Sequence, residues 1–202
     1  MRARFQLPDD ASLRIRSNLP AKSHLPLDQP VSIESLLSDY VELQDPATRP
    51  QIHLLATFTT CPPEHEQLLS LASDDPEHVA RYREVILTPR VSLLDVLETY
   101  PSCALPFNIF LEMLSPLRPR YYSISSSALA DPRHCTATVG VVEGPARSGR
   151  GLYHGACACY LATTEAGATV SALIQAPSTP FRPPAEPLTP VIMVGPGTGV
   201  AP

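Results

Sequence analysis

Through the first half of the chain, apolar residues recur at helical spacing behind polar starts. Ile33, Leu36, Leu37, Tyr40 and Val41 follow Ser32, whose hydroxyl suits an N-cap. Thr48-Arg49-Pro50-Gln51 predicts a second helix. Threonine caps it, Pro50 suits the first turn, and Ile52, Leu54, Leu55 and Phe58 follow. Asp75-Pro76-Glu77 opens a third in the same way, running towards Ile86 and Leu87. Ser92-Leu93-Leu94-Asp95 resembles a capping box and predicts a fourth helix, ending before Pro101. Phe107 to Leu114 predicts a fifth, stopped by Pro116.

After Pro119 the pattern changes. Tyr121–Ser126, Ala137–Val142 and Thr169–Ile174 are short, with β-branched, aromatic or alternating residues. Gly144-Pro145 and Gly149-Arg150-Gly151 separate them as turns. The texture is that of an antiparallel sheet or barrel. Between these stretches, the apolar run Ala156–Leu161 predicts a short helix after Gly155. Gln175–Pro190 holds six prolines (Pro177, Pro180, Pro183, Pro184, Pro187 and Pro190) and reads as a linker. It leads to a last apolar run, Val191–Val194, which reads as a buried strand entering the glycine-rich loop Gly195-Pro196-Gly197-Thr198-Gly199.

Composition narrows the class. Proline supplies 24 of 202 residues, about 12% against a usual 5%. With the 9 glycines the share is about 16%, short of the ~25–30% that marks disorder, so the chain reads as folded and loop-rich. The net charge of −5 and the lack of a Lys/Arg run argue against a nucleic-acid partner. No apolar stretch nears the ~18 residues of a membrane helix. The N-terminus lacks the apolar centre of a signal peptide. Five irregularly spaced cysteines (Cys61, Cys103, Cys135, Cys157 and Cys159) argue for a reducing, cytoplasmic setting over a disulfide framework. Cys157-Ala158-Cys159 has no second Cys/His pair at zinc spacing, so no metal is read from it. The six histidines form no catalytic constellation.

Three segments could carry chemistry. In Arg120-Tyr121-Tyr122-Ser123, alternation places Arg120 and Tyr122 on one face and Tyr121 and Ser123 on the other. Arginine can meet a diphosphate with paired N–H bonds, a tyrosine ring can cover a flat heterocycle, and a serine can hydrogen-bond a ring nitrogen. The same residues also suit an edge strand with its hydroxyls and arginine in water. Gly155-Ala156-Cys157-Ala158 offers small residues at a helix start, where backbone N–H groups can approach an anion. A packed helix with inert thiols is the other reading. The Gly195–Gly199 loop suits a nucleotide phosphate, or a simple turn; it is not the full dinucleotide fingerprint, since Val200 stands in place of a third glycine.

The order of these pieces adds specificity. Arg-x-Tyr-Ser, a glycine-small-small helix start and Ile192-Met193-Val194-Gly195-Pro196-Gly197-Thr198-Gly199 together resemble the ferredoxin–NADP reductase superfamily, and within it the diflavin NADPH–cytochrome P-450 reductases. Leu25-Pro26-Leu27, Tyr40–Arg49 and Cys61-Pro62-Pro63 are similar to the bacterial fusions in which a haem monooxygenase and its reductase share one chain. The likeness covers nearly all 202 residues. The Tyr40–Arg49 stretch disfavours the sulfite-reductase and nitric-oxide-synthase types. A fragment that binds no flavin is the non-enzymatic alternative.

The resemblance implies an α+β chain: a helical connecting domain over 1–115, part of an antiparallel FAD-binding β-barrel over 116–186, and the first strand of an NADPH-binding α/β domain over 187–202. It implies that Arg120 binds the FAD pyrophosphate, Tyr122 stacks on the isoalloxazine with Tyr121 beside it, and Ser123 assists hydride transfer near N5. Thr138, Val139 and Gly140 match a second FAD-contacting strand. Gly155, Ala156, Cys157 and Ala158 match the phosphate contact, and Thr198 matches an NADP contact. Ala158 stands where relatives carry Thr or Ser, and Glu143-Gly144 where many carry an aromatic residue under the adenine. The chain starts inside the helical region and ends three residues after Gly199. The expectation is therefore a fragment that is inactive alone. The FMN domain, the haem monooxygenase and the rest of the NADPH domain would belong to a longer parent.

Overall fold

The computed structural model describes residues 2–8, 10–16, 24–176 and 182–200. Pro177 and Pro180 of the proline-rich stretch, and Ala201 and Pro202 after the glycine loop, lie outside them. The chain divides into two compact units. One takes residues up to 118 together with 145–151; the other takes 119–144 and the residues from 152 onward.

The first unit is mainly helical. After α1 (Arg2–Phe5), strands β1 (Ser12–Arg14) and β2 (Pro30–Ser32) pair antiparallel, Leu13 opposite Val31. Helix α2 (Ile33–Ser35) starts as expected, with the Ser32 side chain accepting from Ser35 N, but it widens at once into a π-type turn over Leu36–Tyr40. Strand β3 (Val41–Glu42) follows. Helix α3 (Arg49–Thr57) opens with the predicted capping box, Thr48 with Gln51. Helix α4 (Pro62–Ala72) carries prolines in its first turn; α5 (Pro76–Tyr82) runs into a second π-type turn, Arg83–Leu87. Helix α6 (Leu93–Thr99) has a capping box of Ser92 with Asp95, and α7 (Phe107–Met113) leads to β4 (Ser115–Pro116), which pairs with β3.

Two features differ from the sequence reading here. Helix α4 was not predicted; Cys61 before it supplies no side-chain cap, so its start carries no local capping signal. The β1–β2 pair was not predicted either, because it joins residues about 18 apart with no hairpin turn signal between them.

One core holds this unit. Ile52, Leu55, Leu68, Leu97 and Phe110 are fully buried within it. The rings of Phe5 and Phe107 lie 4.9 Å and 6.3 Å from that of Phe110. Tyr82 is buried, and its hydroxyl donates to Ala47 O at 2.8 Å. Burial pushes its phenol above the ordinary range, against a lowering pull from Arg49. The stability carried by the neutral phenol is therefore complete below its unfolded pKa of about 10 and is lost as pH rises through the higher folded value. Tyr82→Phe is expected to cost about 1–2 kcal/mol at neutral pH, because Ala47 O loses its donor. Denaturant melts should show this difference shrinking above pH ~10. A pH-independent difference would remove the phenol from the account.

The second unit has little regular structure. Its described secondary structure is an isolated antiparallel bridge Ile124–Ala137, strand β5 (Glu143–Pro145) paired with β6 (Leu152–His154), helix α8 (Ala156–Thr163) and a 3-10 turn at Gly197–Val200. Helix α8 matches the short helix expected after Gly155. The stretches Thr169–Ile174 and Val191–Val194, read as strands, form no ladder. No closed barrel is seen among the described residues; the architecture is helices with small antiparallel sheets. The reason is physical: β-branched composition favours an extended chain, but a strand exists only where a neighbour accepts its N–H and C=O groups. No helix of the described residues is long and apolar enough to cross a membrane.

Candidate functional site

The segment Arg120–Ser123 has no regular secondary structure; pairing begins at Ile124. From there Ser125 N donates to Thr136 O at 2.8 Å, and Ser126 Oγ accepts from Thr136 N at 2.9 Å. These bonds anchor the segment from its C-terminal side. Arg120 and Ser123 are exposed and Tyr121 is 80% exposed, whereas Tyr122 is half-buried.

Tyr122 is the residue that joins two predicted pieces of the site. Hydrogen bonding with the Cys157 side chain, on the first turn of α8, acts on its phenol. That hydrogen bond is the main reason its phenol stands above the ordinary range; burial and the Cys157 charge act in the same sense, and Arg120 opposes them. Arg120, Tyr122 and Cys157 thus share one electrostatic neighbourhood. From the sequence, Cys157 stands out as one of the small residues at a helix start that match the FAD phosphate contact. Nothing local could have signalled its contact with a tyrosine 35 positions earlier.

Helix α8 presents an open N-terminus. Its N-cap, Gly155, has no side chain to accept from the first turn. Cys159 N is bonded to Gly155 O at 2.8 Å, which leaves the amides of Ala156, Cys157 and Ala158 without intrahelical acceptors. Gly155 N donates to Val142 O at 2.8 Å. A Cβ on Gly155 would stand 3.2 Å from that oxygen and 3.4 Å from Val142 Cβ, so the helix start approaches the preceding segment more closely than a larger residue permits. Ala156 is exposed, Cys157 half-buried, and Ala158 buried beneath the turn.

The remaining predicted residues form a separate pair of contacts. Thr138 and Gly140 are exposed and Val139 is half-buried. Gly140 faces Thr198, whose Cγ2 would lie 3.5 Å from a Cβ placed there. Thr198 belongs to the 3-10 turn, so the glycine loop coils where the sequence predicts a strand-to-loop passage. A guanidinium, a half-buried aromatic ring and an uncapped helix start suit a ligand that carries a diphosphate on one side and a flat ring on the other. This donor set fits FAD.

Comparison with known proteins bears on the same region. A family model described as FAD binding domain matches residues 3–160. The chain is 49% identical over 199 residues to bifunctional cytochrome P450/NADPH--P450 reductase 1 of Bacillus subtilis, covering 98% of this chain and 18% of that protein. It is 46% identical over 200 residues to reductase 2 of the same organism, with 99% and 18% covered. A bifunctional cytochrome P450/NADPH--P450 reductase of Fusarium oxysporum is 39% identical over 200 residues, with 98% and 18% covered. The chain thus spans less than a fifth of the length of these curated relatives. With most of its length matched by the family's model, and with a helix start and arginine-tyrosine segment that fit the cofactor, the chain belongs to the FAD binding domain family.

Proposed function

We propose that this chain is the FAD-binding part of an NADPH–haemoprotein reductase that serves a cytochrome P450. The observation that carries this reading is the open start of α8, where Gly155 supplies no side-chain cap and its own amide is tied to Val142 O at 2.8 Å, in the same compact unit as the arginine-tyrosine segment. Bound FAD supplies the chemistry of accepting a hydride and releasing electrons one at a time. Arg120 offsets the diphosphate charge, and the amides of Ala156, Cys157 and Ala158 bond its oxygens. Tyr122 covers the ring face, with Tyr121 at its margin. Ser123 holds a hydrogen bond at N5. Thr138, Val139 and Gly140 line the second contact, and Thr198 meets NADP.

In this reading residues 1–115 form the connecting domain, 116–186 belong to an antiparallel barrel, and 187–202 open the NADPH-binding domain. An FMN domain and a haem monooxygenase would belong to the same longer, cytoplasmic protein. The relatives support this arrangement, since their names join a cytochrome P450 to its reductase.

Titration of the chain with FAD and with riboflavin tests the proposal. Riboflavin keeps the ring and lacks both phosphates. FAD is expected to bind roughly tenfold or more tightly, the equivalent of one charge-assisted hydrogen bond. Flavin fluorescence reports both. Equal affinities, or no uptake of either, would reject the site.

A further inference from the structure

We propose that Glu143, His154 and Cys159 form a zinc-binding site at the junction of β5, β6 and helix α8. Their ligand atoms, a carboxylate oxygen, an imidazole nitrogen and Sγ, all lie within 4.8 Å of one another. His154 and Cys159 are not among the residues assigned to the flavin, and Glu143 stands where many relatives carry an adenine-covering aromatic residue that this chain lacks.

The donor types select the metal. Thiolate, imidazole and carboxylate are all zinc ligands, whereas calcium and magnesium take oxygen alone. Three protein ligands with water in the fourth position make a tetrahedral, open zinc centre. Zn–S of about 2.3 Å, Zn–N of about 2.0–2.1 Å and Zn–O of about 2.0–2.2 Å place tetrahedral neighbours roughly 3.3–3.7 Å apart. His154 Nδ1 and Glu143 Oε1 already stand at 3.6 Å. The widest separation in the group needs to close by about an ångström, within the reach of a change of side-chain rotamer. Glu143 and His154 are exposed and Cys159 is half-buried, so an ion can enter from solvent and a water can complete the shell.

The backbone beneath the three is held independently of any metal. Strands β5 and β6 pair with each other. Val142 O accepts from Gly155 N at 2.8 Å, and the Cys159 thiol donates to the same oxygen at 3.6 Å. Two ligands therefore come from a paired strand end and the third from the helix that starts two residues after it. An exposed His–Glu ion pair accounts for two of these residues at ~0–1 kcal/mol, and the thiol holds only a long bond to a backbone oxygen, which it gives up on losing its proton to a metal.

The test uses the whole chain, stripped with a chelator and titrated with Zn²⁺ by calorimetry and with Co²⁺ by absorbance. One equivalent is expected to bind, and Co²⁺ is expected to give a thiolate charge-transfer band in the near ultraviolet. Cys159→Ser should abolish the band, while Cys135→Ser, which alters an exposed thiol elsewhere, should keep it. His154→Ala and Glu143→Gln should each weaken Zn²⁺ by about tenfold or more, since loss of even an outer-shell partner costs 10–100-fold. All three ligands lie at the surface, and circular dichroism checks that the variants stay folded. No band in the native chain, a band that survives in Cys159→Ser, or unchanged affinity in both His154→Ala and Glu143→Gln would overturn the site.

Discussion

Phe110→Ala is expected to destabilise the chain by about 3–5 kcal/mol, a large share of the 5–15 kcal/mol that holds a typical domain together. Phe110 is 0% exposed and sits on α7, its ring 4.9 Å from that of Phe5 and 6.3 Å from that of Phe107. Truncation removes the transfer energy of a whole ring and leaves a cavity that rigid neighbours such as Leu97 and Leu55 cannot fill. It also removes two ring–ring contacts. Phe110→Leu keeps most of the volume and should cost far less, about 1–1.5 kcal/mol. Urea melts followed by circular dichroism measure both. A cost below ~1 kcal/mol for the alanine variant would mean that this ring is not the centre of the core.

The second large effect concerns the flavin. Arg120→Ala is expected to weaken FAD by about 1.5–3 kcal/mol, roughly 10- to 150-fold, and to leave riboflavin almost unchanged. The guanidinium acts on the phosphates, which riboflavin lacks, so the gap between the two ligands should close. Tyr121→Ala should leave that gap intact, because the ring is 80% exposed and carries no charge to meet the phosphates. Tyr122→Ala should weaken both flavins, since its ring would face the part they share. If Arg120→Ala and Tyr121→Ala hold equal amounts of FAD, the assignment of Arg120 to the diphosphate is lost. Salt gives an independent check: FAD binding should weaken with ionic strength in the native chain and much less in Arg120→Ala.

The metal proposal is separable from the flavin proposal. Cys159→Ser removes the metal band without touching Arg120, Tyr122 or the amides of Ala156 and Cys157. Retained FAD binding in that variant would show the two sites to be independent.

Helix starts were legible in the sequence because their causes are local. Thr48 with Gln51 and Ser92 with Asp95 lie three residues apart, and each pair satisfies orphan amides whatever the rest of the chain does. Gly155 before Ala156 was legible for the same reason. Asp75 was legible only as a position: α5 does begin after it, but its carboxylate accepts from the Ser73 hydroxyl and caps nothing. The residues proposed for the flavin were legible as a sequence order that resembles a known family, and the match over residues 3–160 agrees with that family.

What lay beyond the sequence depends on partners that are distant along the chain. The β1–β2 pairing, the widening of two helices into π-type turns and the absence of regular ladders among the described residues after 163 are decided by which neighbours reach each backbone group. The meeting of Tyr122 with Cys157, and of Glu143 with His154 and Cys159, is of the same kind. Their separations match no zinc or nucleophile spacing, so no pattern search finds them. The sequence by itself determined where the capped helices α3 and α6 begin, which of their residues are apolar, and which family the chain resembles, because these rest on contacts within about one turn or on residue order. Only the tertiary structure decided which side chains converge, because convergence is set by core packing around residues such as Phe110 in one unit and by the close approach of Gly155 to Val142 in the other.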